Sequence, residues 1–408
     1  MKELKTILKK SFLSLSAILV CASAFSQDKA YEKALDQLNE LNYHKAHDIL
    51  IKNIEKHPSH SPSLYQLGKI ELEYDDKAKA KTYFSKVVSS NTNFVSEAHL
   101  ELSRLELELN DTISALEHLD KSILIEASED ALYERALLKF KTHNYEGSIS
   151  DISKALATNN EEAKYFILRG RAHIEEEKYN DAITDLDTAI ILDSKIEDAY
   201  FFRAYCLYTL AHIPETNHKR DLLHRALDDY NMCVILDPKD ELAFFDRGET
   251  HMALAELKPS NKHHYIEAIS DFKAALALNP NNKEAMYNKA TCNYRYGYVE
   301  KALEQFKLAL EIDPNFSDAL YQVGLLEYDN TEFKESLIHF NQLIEQEEEP
   351  HSDAYLYRGY VHLELGNTEE ACEDWQYADS LDDVDPELHR ELVHDMKKYC
   401  KKYIELEK

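Results

Sequence analysis

Residues 275–282 read ALALNPNN, and residues 309–316, thirty-four positions on, read ALEIDPNF. In both, a small residue lies twelve positions before the proline: Ala268 before Pro280, Ala302 before Pro314. The same offset links Ala46 to Pro58 and Ala226 to Pro238. Followed along the chain, the small position falls at Ala46, Ala80, Ala115, Ser148, Ala182, Ala226, Ala268, Ala302, Ser336 and Ala371. Four places later stands a large residue each time: Leu50, Phe84, Leu119, Ile152, Leu186, Tyr230, Phe272, Phe306, Phe340 and Trp375. The spacing is 33 to 35 residues, except for intervals of 44 and 42 after Ala182 and Ala226.

These offsets describe two antiparallel helices per repeat. A second small position precedes the first by twelve, at Gly68, Ala136, Gly170, Ala290, Gly324 and Gly359. Facing small residues let two helix axes approach, and the large residue one turn on fills the wedge to the next hairpin. Proline cannot continue the second helix and ends it. Gly297 and Gly366 fall in the turn between helices.

With its Leu67-Gly68 pair, Ala80 and Phe84, the stretch LYQLGKIELEYDDKAKAKTYF (64–84) resembles the tetratricopeptide repeat. So does 283–314, with Tyr287, Gly297, Ala302, Phe306, Ala309 and Pro314. The first-helix tryptophan of that family is absent. Ten repeats are expected over 27–385, starting near 27, 61, 96, 129, 163, 197, 241, 283, 317 and 352, with a capping helix over 386–408. The expected fold is all-α: a right-handed superhelical solenoid of about ten helix-turn-helix hairpins. Scarce glycine, 8 of 408 residues, agrees with a mostly helical chain.

Residues 1–26 read as a secretory signal: MKELKTILKK carries four lysines, SFLSLSAILVCASAF is apolar, and Ala24-Phe25-Ser26 suits cleavage before Gln27. The alternative is a membrane anchor, against which the run is short and broken by serines. Val20 disfavours lipid attachment at Cys21. The implied location is exported: periplasmic, outer-membrane-associated or secreted. No later segment is apolar enough to span a bilayer, so no direct membrane insertion is expected after cleavage.

Net charge is −29 and becomes more negative once the signal's four lysines and one glutamate are removed. Such a chain repels nucleic acid and anionic membrane, so its partners should be neutral or basic. Acid also keeps a long solenoid soluble. The remaining cysteines, Cys206, Cys233, Cys292, Cys372 and Cys400, are odd in number and form no CxxC pair, which argues against a metal site or disulfide framework. Burial as small apolar residues is the plain reading. Cys206–Cys233 or Cys372–Cys400 remain pairs that an oxidising compartment would allow to bridge.

No nucleotide-binding, metalloprotease or hydrolase signature is present, and no cofactor or metal is expected. The acidic run EEACEDWQYADSLDDVDPE (369–387) lacks the spacing and glycine of a calcium loop and reads as a solvated helix face. KKYCKKY near the C-terminus reads as a solvated helix end.

In such a solenoid the first helices line a concave groove. Repeat positions 5 and 12 should face it, which nominates Tyr65, Tyr133, Phe201, Tyr208, Phe245, Tyr287, Tyr294, Tyr321 and Tyr328, joined in the sixth repeat by Phe202 and Tyr205. Rigid aromatics with a polar tip suit peptide recognition, although packing between repeats would use the same residues. The two long spacings insert AHIPETNHKRDLLHRA and AELKPSNKHHYIEA, both basic and His-rich. Lys219, Arg220, Lys262, His263 and His264 are therefore expected to form a cationic rim, unless the insertions merely lengthen helices. The resemblance also implies a test for the co-chaperone carboxylate clamp. Groove positions here are aromatic or aliphatic where that clamp needs Lys and Asn, so it is rejected. The sequence thus predicts an exported, non-catalytic protein-interaction scaffold holding a peptide or partner domain in its groove. The alternative is a structural assembly subunit of a cell-envelope complex.

Overall fold

The structure, a computed structural model, describes residues 29–90, 93–259, 262–346, 352–381 and 386–401. The signal expected over 1–26 lies outside them. Among the described residues the chain is entirely helical. It divides into two compact units, one ending at Lys178 and the other starting at Tyr179.

The first unit pairs α1 (Lys29–Asn39) with α2 (Tyr43–Lys56), α3 (Ser61–Glu73) with α4 (Lys77–Val88), α5 (Val95–Glu108) with α6 (Thr112–Ile125) and α7 (Glu129–Lys141) with α8 (Tyr145–Thr158), and closes on α9 (Ala163–Glu175). The second opens with α10 (Tyr179–Leu192). It continues with the hairpins α11 (Glu197–His212) and α12 (Lys219–Leu236), α13 (Glu241–Leu257) and α14 (His263–Leu278), α15 (Lys283–Tyr296) and α16 (Val299–Ile312), α17 (Ser317–Asp329) and α18 (Phe333–Gln346), α19 (Ser352–Glu364) and α20 (Thr368–Asp379). It ends with α21 (Pro386–Tyr399). Within each unit the helices stack as consecutive hairpins, the solenoid arrangement that the repeat implied.

The turn inside a hairpin is built locally. One residue turns left-handed: Leu41, Asp75, Asn110, His143 and Thr331 do so at φ of 59° to 63°, and Gly297 at 113°. An Asx side chain then often caps the second helix. Asp76, Asp111 and Asn144 accept from the backbone N–H of Lys79, Ser114 and Gly147 at 3.0, 3.0 and 2.9 Å.

The close-contact glycines act differently from the expectation. They do not simply face a small residue. The ring of the large residue lies directly on them, and a Cβ on Gly68 would sit 2.5 Å from the Phe84 ring, or on Gly248 2.8 Å from that of Phe272. From there the ring reaches the following hairpin: Phe84 packs with Ala98 and Leu102 of α5. Each such ring is buried, and burial of a side chain this size contributes roughly 1.5–3 kcal/mol.

A second device recurs. Arg135 of α7 is gripped by Asp151 of α8 through two bonds of 2.7 Å and donates a third, also 2.7 Å, to Asp120 of the preceding hairpin. Arg203 repeats this with Asp229 and Asp187, Arg247 with Asp271 and Asn231, and Arg358 with Asp374 and Asn341. A planar guanidinium suits this two-sided geometry as an ammonium would not.

At the C-terminus Cys372 and Cys400 are joined in a disulfide, Cα to Cα 5.6 Å, beside buried Trp375 and Leu392. Cys206, Cys233 and Cys292 are free and buried.

Candidate functional site

The aromatics at position 5 serve first as struts. Each leans on the large residue of its own second helix: Tyr65 on Phe84 (5.7 Å between centroids), Phe201 on Tyr230 (5.9 Å), Phe245 on Phe272 (5.7 Å), Tyr287 on Phe306 (5.2 Å) and Tyr321 on Phe340 (6.2 Å). Several also reach forward, Tyr65 stacking on Phe94, Tyr133 meeting Tyr165 and Tyr321 meeting Tyr357. They are half-buried, one face packed and one edge open. Tyr328 leans on Phe333, and Phe202 on Phe201. Tyr205 and Tyr294 stand more open, at 40% and 37% exposure. These rings therefore help hold hairpins together while keeping part of their surface exposed.

The first helices α11, α13 and α15 of the second unit bring a more specific group together. Asp246 and Glu249 lie one turn apart on α13. Tyr230 donates its hydroxyl to Asp246 at 3.4 Å, and Asn288 of α15 donates its amide to Glu249 at 3.2 Å. Neither carboxylate has a lysine or arginine within ion-pair distance among the described residues. Burial, reinforced by Glu249, pushes the Asp246 carboxyl up to about 7. Burial likewise raises Glu249, against the hydrogen bond from Asn288. Tyr208 of α11 stands beside both, its phenol raised first by burial and then by these two charges.

The contrast lies with the Arg135 clasp; in the Arg203 and Arg247 clasps burial outweighs the arginine and Asp229 and Asp271 are raised. Asp151 is also buried, yet Arg135 and Lys139 outweigh that burial and hold its carboxyl below the usual range. Asp246 and Glu249 are thus desolvated carboxylates with no lysine or arginine partner among the described residues, Glu249 being eased only by Asn288 and His212. Positions 5 and 12 alone overlook them, because they occupy positions 6 and 9 of the repeat. On a helix these adjoin positions 5 and 12 on the same stripe, and that spacing is the signal that would have pointed to them.

The rim residues are placed as follows. The insertions lengthen all four helices, which run 16, 18, 17 and 16 residues. Lys219 and Arg220 open α12, Arg220 exposed. Lys262 crosses to the next hairpin, donating to the Tyr296 carbonyl at 2.7 Å with its ammonium 5.4 Å from that ring's centroid. His263 is exposed, and His264 turns inward to meet His251, Nδ1 to Nδ1 at 3.0 Å. His224 from the first insertion comes within 6.2 Å of His264 from the second, so the two insertions do share an edge. Part of the expected cationic rim is therefore occupied by internal contacts.

Residues 262–326 and 321–382 each match a tetratricopeptide repeat model, the model of a repeat that generally builds non-catalytic protein-interaction scaffolds. No curated protein sequence matches the chain at a significant level. Among solved structures it is similar to YrrB, described as a TPR protein with an unusual peptide-binding site (22% identity, 48% of this chain and 91% of that one, TM-score 0.39). It is also similar to a tetratricopeptide repeat protein from Parabacteroides merdae (19% identity, 73% and 97% covered, TM-score 0.39). A third is pilF of Pseudomonas aeruginosa (15% identity, 57% and 97% covered, TM-score 0.46). Over residues 262–382, then, the chain carries tetratricopeptide repeats.

Proposed function

We propose that this protein is an exported, non-catalytic scaffold that binds a basic peptide segment, free or on a partner domain, against the first helices of its second unit. The observation that carries this is the pair Asp246 and Glu249, desolvated and without a lysine or arginine partner among the described residues, amid the tyrosines of α11 and α15. A lysine or arginine from a partner would pair with both carboxylates, and the exposed edges of Tyr205, Tyr208 and Tyr294 would cover its aliphatic stem. The strongly negative net charge would speed the encounter with a basic partner.

The exported location has independent support in the Cys372–Cys400 bridge, since disulfides persist in oxidising compartments. The three other thiols are shielded: burial pushes Cys206 and Cys292 up to about 12, which keeps them inert.

The test is fluorescence anisotropy of the mature chain with a labelled Lys/Arg-rich nonapeptide and an acidic control peptide. Asp246→Asn with Glu249→Gln should weaken the basic peptide at least tenfold while helicity is unchanged. Unchanged affinity would reject the reading. In pulldowns from envelope extract, capture that survives these two substitutions would favour assembly through the flanks instead.

A further inference from the structure

Two hairpins, one in each unit, are held by the same arrangement: a histidine on the first helix facing a histidine on the second. His99 of α5 meets His118 of α6, Nδ1 to Nδ1 at 2.8 Å, with ring centroids 5.0 Å apart. His251 of α13 meets His264 of α14 at 3.0 Å, with centroids 5.3 Å apart. Such a pair needs one proton between the two nitrogens. One ring donates, the other accepts, and both remain neutral. One added proton can sit on the far Nε2 of the donor ring, but charging both rings puts hydrogen on both Nδ1 atoms and leaves two N–H groups facing each other with no acceptor. The geometry alone forbids that state while the helices stay in place.

The surroundings oppose it too. Facing the first pair are Lys121 and Glu117 of α6, Glu106 of α5 and Lys81 of α4, the last already bonded to Glu106 at 2.8 Å. Facing the second are Arg220 and His224 of α12, Arg247 of α13, and His263, Glu267 and Asp271 of α14. Asp271 lies 3.9 Å from the far nitrogen of His251 but is already gripped by Arg247. Other histidines differ. His47 faces Glu71 at 3.2 Å and His339 faces Glu327 at 2.7 Å, so each keeps a partner when protonated.

We propose that the two histidine pairs are acid-released latches, which part the helices of α5–α6 and α13–α14 on a second protonation while hairpins without such a pair stay closed. Burial first, then the partner ring or nearby cations, holds His99 and His251 down at about 4. The ordinary value is about 6.5, so each base is depressed in the folded state. The stability it confers is therefore complete above about pH 6.5 and is lost as pH falls toward 4. Because α13 also carries Asp246 and Glu249, opening the second latch would reshape the interaction face. That last consequence rests on the proposed function; the latch itself does not.

The experiment is hydrogen–deuterium exchange of the whole mature chain at neutral and mildly acid pH, corrected for intrinsic exchange, with no ligand present. Protection of α5–α6 and α13–α14 should fall at least tenfold more between about pH 7 and pH 5 than that of α3–α4 and α17–α18. In His118→Asn or His264→Asn the amide stands where Nδ1 stood but takes up no proton. Each variant should abolish the acid loss in its own hairpin and leave it in the other. A uniform loss across all hairpins, or a loss that persists in both variants, overturns the proposal. Should a variant fold poorly, NMR titration of the wild-type histidines decides. His99 and His251 resisting protonation until the two hairpins open supports the latch, and ordinary titration in a closed fold overturns it.

Discussion

Arg135 and Asp151 are joined by two parallel hydrogen bonds of 2.7 Å, while the same guanidinium donates across the hairpin boundary to Asp120. One side chain thus fastens the two helices of its own hairpin and ties them to the hairpin before. Asp151 is 1% exposed and Arg135 14%, so neither charge can turn to water if its partner is removed.

Arg135→Ala should therefore lower stability by about 2 kcal/mol, because Asp151 loses its two-bond partner and keeps only the lysines, Lys139 at 2.7 Å foremost. Arg135→Lys should recover only part of this, since an ammonium cannot span both partners. Urea unfolding followed by circular dichroism checks the order of the three proteins, and exchange measurements should localise the loss to α7 and α8.

Gly68→Ala should destabilise by about 1–3 kcal/mol, because its Cβ would press on the Phe84 ring from 2.5 Å. Pairing it with Phe84→Leu should leave a smaller loss than the two single changes summed. A thermodynamic cycle across the four proteins measures that coupling.

Thr331 is β-branched and left-handed at φ 63°. Thr331→Gly should stabilise the α17–α18 hairpin by about 1 kcal/mol through relief of that strain. A higher melting temperature is the expected outcome.

Asp246→Asn should show opposite effects on stability and binding. The folded carboxyl is raised from its ordinary value to about 7, so its neutral form is the one that fits. The stability this confers is complete below about pH 3.8 and is lost as pH rises through 7. The asparagine variant should therefore be more stable than wild type by about 2 kcal/mol above pH 8, match it in acid, and bind a basic peptide poorly. Melting temperature against pH checks the first part.

Reducing the Cys372–Cys400 bridge, which closes a span of 28 residues, should cost about 3–4 kcal/mol at the C-terminal end. Cys372→Ser should reproduce the effect and be insensitive to added thiol.

Much of this architecture was written in ALALNPNN and its echoes. A small residue, a large one a turn later and a proline stop are local demands of a helix hairpin, and repetition lets each hairpin be read on its own. The position of Phe84 could be read that way. Its ring resting on Gly68 could not, because the sequence spacing does not say which of two nearby small residues a side chain covers. The clasps do leave a trace in the sequence: Arg and Asp sixteen places apart, as in Arg135 and Asp151 or Arg358 and Asp374, with an Asp or Asn in the repeat before.

The candidate site was legible only in part. Periodicity marked the face of the first helices, so Tyr208 and Tyr294 could be named from spacing and Tyr205 from the extra aromatics of the sixth repeat. Whether Asp246 is paired depends on which cations come near it across three hairpins, and His251 meeting His264 depends on how one insertion turns. Short-range stereochemistry, which every repeat restates, is determined by the residues in order. Charge compensation and imidazole pairing are decided only once separate hairpins stack, because they depend on distances of 3 to 4 Å between side chains far apart along the chain.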